Sequence, residues 1–360
     1  MRWVKDKKMK QWLVIGGFLC SMQVTAADLI DVYGDESPLA SQVVQKYSKD
    51  IQQVELYLHQ AAKQGDEQVD SAKFLEMYAK KIILTDKIRR ELAALYVNFQ
   101  TIYYVNQKDI YTTVEIVTKA APERLRFISP EASDHDTTHE KPKNSLDIFE
   151  QEMAYNQTGG QLFLNNQLTM SPDCPIYHCS WGFKDAALRP YLALFNEAAK
   201  KKRALIIKTL RQDPDPRRRA SAAMLVGHFS DPKEIVALLV PQVTDPDEGV
   251  RNNVIRVIGA TVQKSKVLPP SLMPFIELLD SPIETDRNKS LIVILSAATP
   301  FQDTIIQHAG GRLLQLLQLK QPNNHDIAYQ ILKKISGKDF GEHQVAAWRA
   351  WIDQKNSGRS

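Results

Sequence analysis

Between Ser37 and Phe127 apolar residues recur at three- and four-residue intervals. Val43, Val44, Tyr47, Ile51, Val54 and Leu58 form one series, and Ile88, Leu92, Leu95 and Phe99 another. That period lines one side of a helix, so it predicts an N-terminal helical region over residues 28–128. Asp70-Ser71, Thr85-Asp86 and Asp109 suit N-caps, and Ala121-Pro122 closes the last helix. Tyr96, Phe99, Tyr103, Tyr104 and Tyr111 follow the helical spacing and read as core rather than as a ligand groove. The period then vanishes until Leu146. Pro130, Pro142 and a cluster of acidic residues predict a flexible linker over 129–160. His135 and His139 stand four apart among carboxylates, a metal-compatible spacing on a helix, but no apolar face is present to build one. Gln161 to Met170 alternates around Asn165-Asn166, which predicts a two-residue β-hairpin. With the loop closed by Cys174 and Cys179, and with Trp181 or Phe183 as anchor, residues 161–185 read as a small β insertion.

Residues 186–353 return to a helical pattern, now with an internal repeat. Asp213-Pro-Asp-Pro-Arg-Arg-Arg219 recurs 32 residues later as Asp245-Pro-Asp-Glu-Gly-Val-Arg251, and each copy runs through apolar positions to a glycine, Gly227 or Gly259. A degenerate third copy extends from Asp280 through Arg287 to Leu295. Helical units of this length cannot bury their apolar faces alone and must stack. The fold class expected is therefore all-α, an α-solenoid of helical hairpins carrying the small β-hairpin and disulfide-loop insertion.

The repeated turn resembles the HEAT-repeat family, in particular the short bacterial form whose turn reads Asp-Pro-Asp-x-x-Val-Arg. The resemblance implies a ladder across successive turns, with Asp213, Asp245 and Asp280 paired to Arg219, Arg251 and Arg287. The Asp would cap the second helix, and the Arg would offer its fork of donors to carboxylates and turn carbonyls. The third copy departs by one extra residue, and Arg218 stands where the pattern has Val. The segment Ser336 to Gly341 with Trp348 and Trp351 is similar to the closing element of exported bacterial HEAT proteins; the two Trp, three apart, share a helix face. Asp339-Phe-Gly341 is not a kinase motif, since no Gly-rich phosphate loop or His-Arg-Asp accompanies it.

Residues 1–27 read as a secretory signal peptide: a basic stretch, an apolar core from Trp12 to Val24, and small residues at Thr25-Ala26-Ala27. The apolar run is too short for a stable span. The segment holds five of the 46 Lys and Arg residues and one of the 42 Asp and Glu, so the remainder carries 41 of each and is neutral. That removes the overall basic charge a nucleic-acid binder would use. Cleavage also leaves Cys174 and Cys179 as an even pair, which reads as a short-loop disulfide in a periplasmic or secreted protein. A redox pair would have two intervening residues, and zinc would need more ligands than His178. No catalytic residues, metal or cofactor are assigned. The expected function is binding of a protein or peptide on the concave face, through the non-apolar second-helix positions Arg217, Arg218, Asn252, Arg256 and Lys289. That row is net positive, so the partner is expected to be acidic or polar. Two alternatives stand beside it: a lyase-type enzyme, as in HEAT-like lyases that attach bilins, and a secreted factor acting on a host or neighbouring cell.

Overall fold

The computed structural model describes residues 29–64, 70–103, 110–129, 146–165, 167–169 and 173–358. The signal segment 1–27, His135, His139 and Asp109 lie outside the described residues.

After a short first strand come two long helices, α1 (Pro38–Gln64) and α2 (Ser71–Glu91), the latter capped by the Asp70 carboxylate on the Lys73 amide. Where the sequence reading continues the helices, the chain instead forms strands. β1 (Ile30–Tyr33), β2 (Tyr96–Tyr103) and β3 (Ile110–Val117) make one sheet in the order β1-β3-β2, with β1 parallel and β2 antiparallel to β3. Residues 28–128 are thus a mixed unit and not a helical one. The interval from Leu92 through Leu95 to Phe99 coincides with helical spacing, but both strands are rich in β-branched and aromatic residues, whose local preference and cross-strand pairing win.

The two faces of this sheet have different tasks. Val97 pairs with Ile116 and Phe99 with Val114, and these four pack with Val43, Val44, Ile51, Val54 and Ile88 of the helices. The alternate residues Asp31, Tyr33, Gln100 and Glu115 face the opposite way, onto the repeats. Tyr33 Oη donates to the Leu279 carbonyl at 2.6 Å, and the Asp31 carboxylate accepts the Lys320 and Gln321 amides at 2.8 and 3.0 Å. The sheet is therefore a middle layer between α1/α2 and the turns of the repeats.

Helix α3 (Ile148–Leu164) occupies the end of the expected linker and the start of the expected hairpin. Its capping box explains the difference: the Asp147 carboxylate accepts from the Phe149 and Glu150 amides, while Glu150 reaches back to the Asp147 amide. Ile148, Phe149, Glu152, Tyr155 and Gly159 form its buried stripe, and the Trp181 ring lies so close to Gly159 that a Cβ there would be 2.2 Å from it. Gln161 to Leu164 is the last helical turn, with Asn165 as its C-cap, so the predicted hairpin is not formed. Cys174 and Cys179 are disulfide-bonded, with Cα atoms 5.7 Å apart.

After α4 (Arg189–Lys201) come four helical hairpins, forming the all-α, solenoid-like body. They are α5 (Arg203–Gln212) with α6 (Pro216–Val226), α7 (Pro232–Leu239) with α8 (Glu248–Ser265), α9 (Met273–Glu277) with α10 (Glu284–Ser296), and α11 (Gln302–Leu316) with α12 (Pro322–Ser336). The second helices α6, α8, α10 and α12 pack side by side in that order. Helix α13 (Val345–Ser357) closes the stack, with Trp348 and Trp351 buried and in edge-to-face contact at 6.4 Å.

Candidate functional site

The turn residues define one edge of the repeats. Arg219 reaches its own turn, donating to the Asp213 carbonyl at 2.9 Å, and forks onto the Asp245 carboxylate of the next repeat at 2.8 and 2.9 Å. Arg251 repeats the grip on the Asp245 carbonyl at 2.8 Å, but its next carboxylate is Asp286 and not Asp280. The extra residue of the third copy is the reason. Ser281 occupies the turn position of Asp213 and Asp245: its hydroxyl accepts an amide two residues on, as their carboxylates do, and its carbonyl takes Arg287. With a hydroxyl there, the carboxylate is supplied by Asp286, which Ser281 Oγ contacts at 2.7 Å. Asp280 instead pairs with Arg312. Nor do the first Asp of each turn cap the second helices; Asp215 and Asp247 do so, accepting the Arg217 and Val250 amides.

This edge is closed by the chain itself. Arg287 forks onto Glu115 of β3, both side chains wholly buried, and its guanidinium lies 4.2 Å from the centre of the Tyr33 ring. Arg251 also donates to the Phe127 carbonyl at 2.6 Å. Arg218 pairs with Asp147 and Asp213 and lies over the Phe149 ring, under α3. Arg217 is exposed and folds back on its own cap Asp215. Neither Arg217 nor Arg218 joins the other residues of the expected binding row.

Asn252, Arg256 and Lys289 do converge, on the face of α8 and α10. Asn252 and Arg256 are one turn apart, and Lys289 stands across on the neighbouring helix, near enough for the two cations to disfavour one another. Burial first, and Arg256 second, push the Lys289 ammonium down to about 8; burial lowers Arg256 from its usual value. Among the described residues neither has a carboxylate within ion-pair distance, and Asn252 Oδ1 is buried without a partner. The disulfide loop borders this patch. Lys264, in the last turn of α8, donates to the Cys174 and Ile176 carbonyls, and the Tyr177 amide donates to the Gly227 carbonyl at 3.3 Å. His178 joins the cations there; burial, then Arg256, Lys264 and Lys289, push its imidazole down to about 3, so it is neutral at pH 7. Sequence reasoning weighed His178 only as a lone zinc ligand and did not place it or Lys264 at this patch, because nothing local shows that a loop 90 residues upstream folds over the end of α8.

A second depression, of about 940 Å³, lies between β1 and α11/α13 and is lined by Asp31, Glu36, Arg124, Asp280, Arg312 and Arg349 among others. Four of these six charges are committed: Arg312 and Asp280 to each other, Asp31 to two backbone amides, and Arg124 to the Asp280 and Ile116 carbonyls. It is a polar seam between layers.

Residues 204–293 match the family model for HEAT repeats, a span running from α5 into α10. Comparison with curated proteins and with solved structures finds no match. HEAT repeats are helical scaffolds, generally non-catalytic and commonly used for protein interaction.

Proposed function

We propose that this chain is an exported scaffold that holds an acidic or polar segment of a partner protein against the face of α8 and α10. The observation that carries the reading is the Arg256 and Lys289 pair, two adjacent half-buried cations with no carboxylate within ion-pair distance among the described residues; Glu284 acts on Lys289 only from farther off and more weakly than Arg256 does. Like charges held together out of bulk water are unfavourable, and an incoming carboxylate relieves both burial and repulsion. The turn edge is a poor alternative surface, because the N-terminal unit already covers Arg251 and Arg287.

Reversing charge at Arg256 and Lys289 together, by Arg256→Glu and Lys289→Glu, is expected to reduce affinity capture of the partner from the native envelope fraction by about tenfold or more. The melting midpoint should move by only a few degrees, because neither residue holds another element in place. Arg218 is left intact in this variant, since its partners Asp147 and Asp213 are structural. Undiminished capture by the folded double variant would overturn the reading.

Export is supported by the basic, apolar and small-residue succession of residues 1–27 and by the paired cysteines. Intact-mass measurement of protein purified from its native compartment should give a chain beginning at or near Asp28, with one bridge and no free thiol. A retained leader, or two titratable thiols, would contradict this. Recovery from the soluble periplasm favours a periplasmic scaffold, and recovery from culture supernatant favours a secreted factor acting on another cell.

A further inference from the structure

We propose that His325, Glu342 and His343 form a site for a divalent cation of the zinc class at the closing end of the repeats. His325 lies in the first turn of α12, and its Nδ1 is 2.7 Å from the Leu317 carbonyl oxygen. A neutral imidazole donates its proton there, so Nε2 presents a lone pair, the arrangement by which a backbone carbonyl orients a metal-ligating histidine. That Nε2 is 3.8 Å from Glu342 Oε2, and His343 Nε2 is 3.4 Å from Glu342 Oε1. One ligand atom from each residue falls within 4.8 Å of the other two. Tetrahedral zinc with bonds of about 2.0–2.1 Å separates its ligand atoms by roughly 3.3 Å. Closing the site therefore requires movements of about an ångström, and the residues that must move are the exposed ones: His343 and Glu342 side chains are 79% and 53% exposed, whereas His325 is 12% exposed and held by its carbonyl.

The loop bearing the Glu342-His343 dipeptide is held on both sides. Asp339 accepts from Tyr329 Oη at 2.5 Å, Lys333 Nζ at 2.5 Å and the Gly341 amide at 3.0 Å. Tyr329 and Lys333 follow His325 at one and two turns along α12, so Asp339 ties the loop to the helix that carries the first ligand. On the other side the Gly341 carbonyl accepts Trp348 Nε1 at 2.9 Å. Gly341 takes φ +95°, which turns the chain so that residues 342 and 343 lie over α12. Two His nitrogens and one carboxylate suit zinc and its neighbours, and three protein ligands leave a position for water or for a group from a partner.

Calorimetric titration of the untagged full chain with Zn²⁺ is expected to show one ion bound per chain. His325→Ala and His343→Ala should each weaken binding by about tenfold or more, while His308→Ala, exposed on α11, should leave it unchanged. The exposed His343 makes the variant least able to disturb folding. With Co²⁺ as probe, the intense visible absorption of a four-coordinate ion should appear in the wild type and be lost in His343→Ala. No saturable Zn²⁺ binding, or equal affinity in a folded His343→Ala protein, would overturn the assignment and leave surface His-carboxylate contacts only.

Discussion

Arg287→Ala should destabilise the protein by about 3–5 kcal/mol in urea melts, the loss expected when one partner of a buried ion pair is removed. The guanidinium supplies both donors to the Glu115 carboxylate and a third to the Ser281 carbonyl, and none of these groups reaches water. Without it, Glu115 is a buried carboxylate stripped of both hydrogen bonds, with only the more distant charge of Arg124 acting on it. The paired replacement Glu115→Leu with Arg287→Met should recover most of the loss, because the larger part of the cost is the stranded charge and not the net worth of the pair. Lys208→Ala, exposed on α5, should remain within about 0.5 kcal/mol of wild type. An Arg287→Ala protein that melts with the Lys208→Ala control would show that the sheet does not lie on the repeat edge.

Glu152→Gln should act in the opposite direction, by an amount that grows as pH rises from about 4.5 to 7 and is full above that. Glu152 is buried on α3, bonded to Asn156, and burial pushes its carboxyl from the ordinary 4.5 up to about 7. Its folded value is raised, so the stability present below about pH 4.5 is lost as pH rises through 7, where the folded chain must bury the ionised form. Two to three pH units at 1.36 kcal/mol each bound the loss at roughly 3 kcal/mol. The amide removes that penalty while keeping a comparable shape, so the variant should gain about 2–3 kcal/mol at pH 8 and nearly nothing at pH 4. Glu284, also pushed up to about 7 by burial, remains in both proteins, so the difference between the two pH profiles isolates Glu152. Parallel profiles would refute the assignment.

The repeats were legible because their information is local: the Asp-Pro-Asp turn and its Arg recur in sequence, and the helices between them keep one apolar period. The N-terminal strands were open to the same kind of reading, since Ile110 to Val117 is dense in β-branched residues. There the helical interval through Leu95 and Phe99 masked the alternation of Val97, Phe99 and Thr101. Helix α3 had a readable start in Asp147 and Glu150, but its buried stripe contains Glu152 and Gly159, which do not register as apolar. Long-range partners left no sequence trace. Nothing near Arg287 indicates that its carboxylate is Glu115, 172 residues away, and Glu342 stands 17 positions after His325 with no metal-ligand motif linking them. Of the expected binding row, Asn252, Arg256 and Lys289 meet because they share the second-helix face, whereas Arg217 and Arg218 sit at a helix start, the first folded back on its own cap and the second turned into the edge.

A stack of hairpins whose units touch only their neighbours unravels progressively, each unit contributing its own stability. Here the sheet unit fastens several units at once: Tyr33 to Leu279, Asp31 to Lys320, Phe127 to Arg251 and Glu115 to Arg287. Those ties join residues 246, 289, 124 and 172 positions apart, so they cannot form until most of the chain is in place. Melting should consequently be a single concerted step for the hairpins from α7 to α12 and the sheet, and folding should be slow for so helical a protein, because closing such long loops precedes the contacts that reward it.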